Sequence, residues 1–258
     1  MGHWLMVASA ALLSGLAQAA IVAKDVDYKV AGETYQGYVA YDSRFTGKLP
    51  GVLIVHQWGG LTDYEKMRAR QLADLGYVAF CVDIYGKGIR PTDPAERGEY
   101  AGFYKNDRAL FRRNLMAGLD QLKAQPKVDQ GKLGAIGYCF GGTGVLELAR
   151  AGANVKGVVS FHGGLDNPNP QDAAHIRAEV MVLHGADDPF VPKKDVEAFK
   201  AEMKAAKKKF TFIEYAGAVH SFTQKEAGND NSKGAAYNEA ADKASFIQMR
   251  AFFARLFK

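Results

Sequence analysis

Two hydrophobic patterns divide this chain. Near its start, residues 26–30 and 34–41 alternate between apolar and polar positions around the turn Ala31-Gly32-Glu33, which predicts an antiparallel hairpin at one edge of a sheet. Further along, continuous apolar runs alternate with segments of helical spacing. The predicted strands are 51–56, 77–82, 133–136, 155–160, 179–184 and 209–214, and the predicted helices are 62–75, 96–124, 143–150, 193–206 and 236–257.

Repeated strand–helix units imply right-handed crossovers and therefore a mostly parallel sheet. Together with the hairpin, they predict an α/β fold whose mostly parallel sheet has an antiparallel N-terminal edge and helices on both faces. The 258 residues, 48% hydrophobic and 24% charged, suit one α/β domain over 20–258. A net charge of +5 is mild and its basic residues are scattered except at 207–209, so nucleic-acid binding is not predicted.

The first 19 residues have features of a signal peptide. Residues 1–20 contain no charged side chain, residues 4–16 are apolar, and Ala17-Gln18-Ala19 supplies a small-x-small cleavage pattern before Ala20. This predicts a periplasmic or secreted protein that is not attached to a membrane after cleavage. Because no Lys or Arg precedes the apolar stretch, a disordered apolar tail on a cytoplasmic enzyme stays open as the alternative.

The segment Gly137-Tyr138-Cys139-Phe140-Gly141-Gly142 lies between an apolar run and a helical segment. This setting is typical of a nucleophile elbow, here with cysteine in place of the usual serine. At a helix N-terminus the thiol would meet unpaired N–H groups, which favour the thiolate. The simpler alternative is that Cys139 is a small residue that only packs in the turn and has no catalytic role. A phosphate loop is not favoured, because Gly-Lys-Ser/Thr is missing and the spacing does not fit the dinucleotide fingerprint.

An elbow predicts partners in the chain order nucleophile, acid, histidine. The loop 185–192 follows a predicted strand and carries aspartates, and His220 is the only histidine beyond it. All three candidates fall just past the ends of strands, where catalytic groups collect in a parallel sheet. Cys81 lies inside a strand and reads as a small buried hydrophobe, so no disulfide with Cys139 is predicted.

Three further histidines, His56, His162 and His184, each end a predicted strand. No two of them stand at helical i, i+4 spacing, and no carboxylate or thiol clusters with them in the sequence. We therefore predict neither a metal site nor a cofactor. His162 is expected either to line the rim of a pocket or to have a structural role, with the hydrogen-bonding groups of its ring paired inside the protein.

Five segments, in this order, resemble the dienelactone hydrolase family of α/β hydrolases: 55–61, 82–86, 137–142, 188–192 and 217–222. The resemblance implies an α/β-hydrolase fold and a triad of Cys139, Asp188 and His220, the pattern Gly185-x-x-Asp188-x-x-Val191-Pro192 favouring Asp188 over its neighbour.

The chain also departs from the family pattern. The founding enzymes have a glutamate at the position of Gln57, where it takes part in switching the cysteine, and they hold the substrate carboxylate with two arginines at the positions of Lys87 and Gln224. An ammonium lacks the bidentate fork of a guanidinium, and an amide has no charge. These departures predict a weak preference for anionic lactones.

The expected chemistry is acyl transfer from a small-molecule ester or lactone to Cys139 and then to water, with the backbone N–H groups of Phe140 and Trp58 as oxyanion hole. The residues expected to bind substrate are Gln57, Tyr85, Lys87, His162, Phe190, Phe222 and Gln224, and aromatic walls are expected from Trp58, Tyr85, Phe140, Phe190 and Phe222. A broad carboxylesterase without lactone preference is the alternative within enzymes, and a non-catalytic binding protein the alternative outside them. The sequence makes no prediction of oligomeric state.

Overall fold

The computed structural model describes residues 21–258, and the predicted leader at 1–19 lies outside them. The strands are β1 Ile21–Val30, β2 Glu33–Asp42, β3 Leu49–Val55, β4 Val78–Val82, β5 Val128–Tyr138, β6 Gly157–Phe161, β7 Glu179–Gly185 and β8 Phe210–Tyr215. The α-helices are α1 Asp63–Asp74, α2 Pro94–Asn106, α3 Arg108–Lys123, α4 Phe140–Arg150, α5 Lys193–Ala205 and α6 Glu239–Leu256.

The strands form one sheet in the order β1-β2-β4-β3-β5-β6-β7-β8. β1 and β2 form the predicted hairpin, with Ile21 opposite Asp42, and β2 pairs antiparallel with β4. The remaining neighbours all pair in parallel. The prediction of a mostly parallel sheet with an antiparallel N-terminal edge is confirmed.

Helices cover both faces of the sheet because its central strands are apolar on both sides. In β3, Leu53 and Val55 pack in one core cluster with α3, α4 and α5, whereas Val52 and Ile54 pack in the other with α1 and α6. All four side chains are completely buried, and each such burial stabilises the fold by about 1.5–3 kcal/mol. The continuous apolar runs therefore mark strands buried from both sides, as predicted.

The predicted helical segment 96–124 is two helices, α2 and α3, separated at Asp107. The Asp107 backbone leaves helical geometry, at φ −111° and ψ 82°, and its side-chain Oδ1 accepts a hydrogen bond from the backbone N–H of Leu110 at 2.9 Å. Asp107 is thus the N-cap of α3, and it lies within a segment whose sequence pattern is helical. None of the helices in residues 21–258 combines the length and apolar character needed to span a bilayer.

Candidate active site

Cys139 stands in a sharp turn between β5 and α4. Its backbone is in the left-handed region, at φ 55° and ψ −117°, which is unfavourable for a residue with a Cβ. A Cβ at Gly137 would lie 1.9 Å from the carbonyl oxygen of Gly141, and one at Gly141 would lie 2.1 Å from that of Val55. The glycines at these two positions are therefore required for the turn, as the sequence pattern predicted.

The structure brings Cys139, His220 and Asp188 together. His220 Nδ1 lies 2.8 Å from Asp188 Oδ2, and a hydrogen bond joins the His220 ring to the Cys139 thiol. Asp188 is held in turn, since its Oδ1 accepts from the backbone N–H of Phe190 at 2.9 Å. With Nδ1 donating to the carboxylate, the other ring nitrogen is left for the thiol.

Charge stabilises the thiol and the imidazole in their ionised forms. Burial alone would raise the pKa of Cys139, but the neighbouring His220 cation, its hydrogen bond and two backbone N–H groups outweigh burial, so the pKa lies below the usual thiol value. Burial alone would lower the pKa of His220, but Cys139 and Asp188 raise it to about 10. Both shifts favour the thiolate–imidazolium form of the pair.

This pair predicts how fast iodoacetamide alkylates Cys139 at different pH. Because its pKa is lowered, the thiolate should persist, and Cys139 should react rapidly, at pH values below the ordinary thiol pKa of about 8.5. In His220→Ala the rate profile should move back toward that ordinary range. Mass mapping at each pH measures this, and identical profiles for the two proteins would contradict the pairing.

Two backbone N–H groups, those of Phe140 and Trp58, point at the Cys139 sulfur and lower its pKa. Phe140 is the first residue of α4, so its N–H is free of intrahelical bonding. The carbonyl of Trp58, in the following peptide unit, accepts a hydrogen bond from the Tyr85 hydroxyl at 3.1 Å. Both groups predicted for an oxyanion hole therefore lie beside the thiol.

Glu65, which the sequence analysis did not single out, holds the loop that carries Trp58. Its carboxylate is almost fully buried and accepts from the backbone N–H of Gln57 at 3.2 Å and of Thr62 at 2.8 Å. Burial raises the pKa of Glu65 even though these donors oppose the shift. The signal in the sequence was Thr62-x-x-Glu65, a capping box at the start of α1.

His162 and His56 are fully buried beneath the site. His162 Nδ1 accepts from the backbone N–H of Cys139 at 3.2 Å, its Nε2 lies 2.8 Å from Thr223 Oγ1, and burial keeps its pKa well below the usual histidine value. His56 Nε2 accepts from the Ile84 N–H at 3.1 Å, and burial lowers its pKa to about 4. Both rings are therefore neutral and hold neighbouring groups in place. His162 has this structural role and does not line the rim of the pocket.

A cavity of about 180 Å³ opens onto the thiol. It is lined by Trp58, Ala101, Lys105, Cys139, Phe140, Thr143, Gly164, Phe190, Val191 and His220. Three of the aromatic walls predicted from sequence, Trp58, Phe140 and Phe190, are among them. The contribution of α2, through Ala101 and Lys105, was not foreseen, because the helical pattern did not reveal which side of α2 faces the elbow.

Other predicted pocket residues lie elsewhere. Lys87 is half-exposed and forms an ion pair with Asp27 of β1, and it is not part of the lining of the cavity that contains the thiol. Gln224 precedes a short 3₁₀ turn at Lys225–Ala227 outside the cavity lining. The buried side chains Gln57, Tyr85, His162 and Phe222 stand behind the wall and do not form it.

Cys81 is completely buried in β4 and unbonded to Cys139, and its Sγ donates to the carbonyl of Glu65 at 3.3 Å. Burial raises its pKa well above the usual thiol value. As predicted, it is a packed, free cysteine. Within residues 21–258, no group of three or more His, Cys, Asp or Glu side chains is arranged to hold a metal ion.

Comparisons with known proteins agree with this architecture. The model of the dienelactone hydrolase family matches residues 35–257. A probable 2-oxo-3-(5-oxofuran-2-ylidene)propanoate lactonase from Bradyrhizobium sp is 30% identical over 207 residues, which are 76% of this chain and 82% of that protein.

Two solved structures share the fold over nearly their whole length. The structure of m3DLH is 38% identical, with a TM-score of 0.89, and the match covers 92% of this chain and 99% of that one. A dienelactone hydrolase-like promiscuous phosphotriesterase from metagenomic libraries is 40% identical, with a TM-score of 0.88 and coverage of 93% and 100%. The chain is therefore an α/β hydrolase that acts on esters or lactones, and it belongs to the dienelactone hydrolase family.

Proposed function

We propose that this protein hydrolyses a small ester or lactone through a thioester on Cys139, with His220 and Asp188 completing the triad. One observation carries the proposal: the thiol shares a hydrogen bond with a histidine that is bound to a buried carboxylate, and two backbone N–H groups point at the same sulfur. Nucleophile, proton carrier, orienting acid and oxyanion donors thus converge on one point.

In the first half of the reaction, the Cys139 thiolate attacks the carbonyl carbon and an S–C bond forms. The negative charge on the carbonyl oxygen is stabilised by the N–H groups of Phe140 and Trp58, which lie beside the sulfur. The bond to the leaving oxygen then breaks, and the His220 imidazolium donates its proton to that oxygen. An alcohol leaves, or, from a lactone, the hydroxyl end stays attached to the acyl group.

In the second half, the neutral His220 accepts a proton from water as the water oxygen attacks the thioester carbon. The S–C bond breaks, the acid product forms and the thiolate–imidazolium pair is restored. Asp188 keeps the ring oriented in both halves through its 2.8 Å contact with Nδ1. Because a thiolate leaves the tetrahedral intermediate more readily than an amine does, amides should be poor substrates.

The cavity favours a compact substrate. Its volume of about 180 Å³ is below the range of drug-sized ligand sites, and Trp58, Phe140 and Phe190 line it. Phe190 also packs edge-on against the His220 ring, with centroids 5.5 Å apart. A short acyl chain or a single ring with an activated leaving group fits these dimensions.

A panel of p-nitrophenyl esters and unsubstituted lactones tests this function. We expect short acyl esters and small lactones to be hydrolysed, and kcat/KM to fall steeply as the acyl chain outgrows the cavity. The p-nitroanilides of the same acids should react far more slowly. Failure to hydrolyse any ester or lactone in the panel would refute the proposal.

Phosphotriester hydrolysis is a second candidate. It is favoured by the 40% identity, over nearly the whole chain, to a protein described as a promiscuous phosphotriesterase. The same thiolate would attack phosphorus and displace the aryloxide leaving group, which takes the His220 proton, while the same N–H groups face the phosphoryl oxygen; water would then cleave the S–P bond and release the diester. The test is hydrolysis of diethyl p-nitrophenyl phosphate by the wild type and by Cys139→Ala. Loss of turnover in the variant would support this activity at Cys139, and turnover that persists in the variant would mean that another site is responsible.

A further inference from the structure

Lys105 places an ammonium in the wall of the cavity that contains Cys139. It belongs to the last turn of α2, and its side chain is about one third exposed. Within the described part of the chain, its three N–H protons have one partner, Asp166 Oδ1 at 3.2 Å. The ammonium therefore retains donors that can reach a bound molecule.

Asp166 is held beside Lys105 by a second cation. Arg108 Nη2 lies 2.6 Å from Asp166 Oδ2, and the two cations hold the pKa of Asp166 below its usual value although burial opposes them. Arg108 is itself shared with the buried Glu147, 3.4 Å away. The carboxylate beside the cavity is therefore ionised and fixed in place.

The two charges meet at Gly164, which also lines the cavity. A Cβ there would lie 3.2 Å from Asp166 Oδ1 and 3.5 Å from Lys105 Nζ. Thr143 Oγ1 donates to the Gly164 carbonyl at 3.1 Å and fixes this part of the wall against α4. A substrate bound over Cys139 thus meets the Lys105 ammonium in the cavity wall, and the Asp166 carboxylate is paired with that ammonium next to Gly164.

We infer that the Lys105–Asp166 pair determines selectivity for substrate charge in this site, each member offsetting the effect of the other on an anionic substrate. This inference rests on the proposed function, because it concerns the substrate that Cys139 attacks. Lys105 attracts a carboxylate and donates to it, whereas Asp166, which is paired with both Lys105 and Arg108, offsets part of that attraction. The intact pair leaves the site nearly indifferent to charge and open to neutral esters.

The pair predicts opposite effects for its two deletions. The measured quantity is the kcat/KM ratio of mono-p-nitrophenyl succinate, an anion, to p-nitrophenyl butanoate, a neutral ester with the same leaving group and acyl length. Lys105→Met should lower this ratio on the order of tenfold or more, and Asp166→Asn should raise it on the order of tenfold. The ratio for the double variant should fall between those of the two single variants, because the two changes act on substrate charge in opposite directions.

A matched pair elsewhere provides the control. Lys123 and Asp120 form an ion pair at 3.0 Å on the exposed side of α3, so Lys123→Met and Asp120→Asn make the same chemical changes outside the cavity. Neither should shift the ratio beyond about threefold. Lys87→Met tests the alternative that Lys87 recognises the charge of the substrate. A shift of the kcat/KM ratio equal to that of Lys105→Met would support Lys87 and contradict the inference.

Binding separates this inference from the proposed function. In Cys139→Ala, calorimetry can compare Kd for N-(4-nitrophenyl)succinamic acid and N-(4-nitrophenyl)butanamide, and the Kd ratio should follow the same pattern across the Lys105 and Asp166 variants. If the wild type hydrolyses no ester, the proposed function fails while this binding result still stands. If Asp166→Asn does not fold, Lys105→Met alone decides. No change in either ratio, or shifts of the two variants in the same direction, would overturn the inference.

Discussion

Replacing Cys139 by alanine should lower kcat for every ester substrate by at least about 10⁴-fold, because its sulfur is the proposed nucleophile that forms the new bond to the acyl carbon. What activity is left would come from the oxyanion donors and binding alone. The fold should survive, since the change removes one sulfur at a position whose backbone is fixed by Gly137 and Gly141. Steady-state kinetics with thermal melting measures both quantities.

Cys81→Ala is the matched control. That thiol is completely buried in β4, away from the cavity, so its removal should cost some stability, on the order of 1 kcal/mol, and leave kcat near the wild-type value. A Cys139→Ala protein that keeps near wild-type turnover, or inactivation that follows modification of Cys81, would mean that the nucleophile has been misassigned.

His220→Ala should lower kcat by on the order of a thousandfold or more. The ring is the proton carrier in both halves of the proposed reaction, and it also stabilises the thiolate. The loss should be larger at neutral pH than at high pH, because without the imidazolium the pKa of Cys139 returns toward its usual value and the thiolate forms only in alkaline solution.

His175→Ala, on an exposed 3₁₀ turn, controls for general effects of removing a histidine and should leave kcat unchanged. The two buried histidines beneath the site give a stricter comparison. His56→Ala and His162→Ala should cost stability and far less of kcat than His220→Ala, because neither ring lines the cavity; of the two, His162 should have the larger effect on kcat, since its ring packs against that of His220 with centroids 5.2 Å apart. A greater loss of kcat from either would require a different triad.

The sequence predicted that Cys139, Asp188 and His220 would lie close together, and it could do so because the elbow follows a local pattern and the resemblance to the family selects the acid. A cysteine between a buried strand and a helix, flanked by Gly137 and Gly141, can be recognised from a few neighbouring residues. Asp188 and His220 lie beyond the ends of β7 and β8, and parallel pairing brings those ends to the same edge as β5. The order of the strands in the sheet therefore brings Cys139, Asp188 and His220 to the same edge.

The side walls of the cavity do not follow from such rules. Lys87 comes directly after a strand-end motif, yet the turn at Gly86, with φ 122°, directs the chain so that its ammonium meets Asp27. Lys105 reaches the cavity because α2 and α3 are separate helices with a break at Asp107. That orientation depends on tertiary packing, so a helical pattern over 96–124 cannot reveal it.

The central claim is that an acyl group is carried on Cys139. The most direct test is to mix the wild-type protein with a hindered p-nitrophenyl ester such as the pivalate, quench in acid during the first turnover, and map the modified peptide by mass spectrometry. We predict a hydroxylamine-sensitive mass increase equal to the acyl group, on Cys139 alone. Release of one equivalent of p-nitrophenol with Cys139 unmodified at every quench time, or an acyl group found on another residue, would contradict the account.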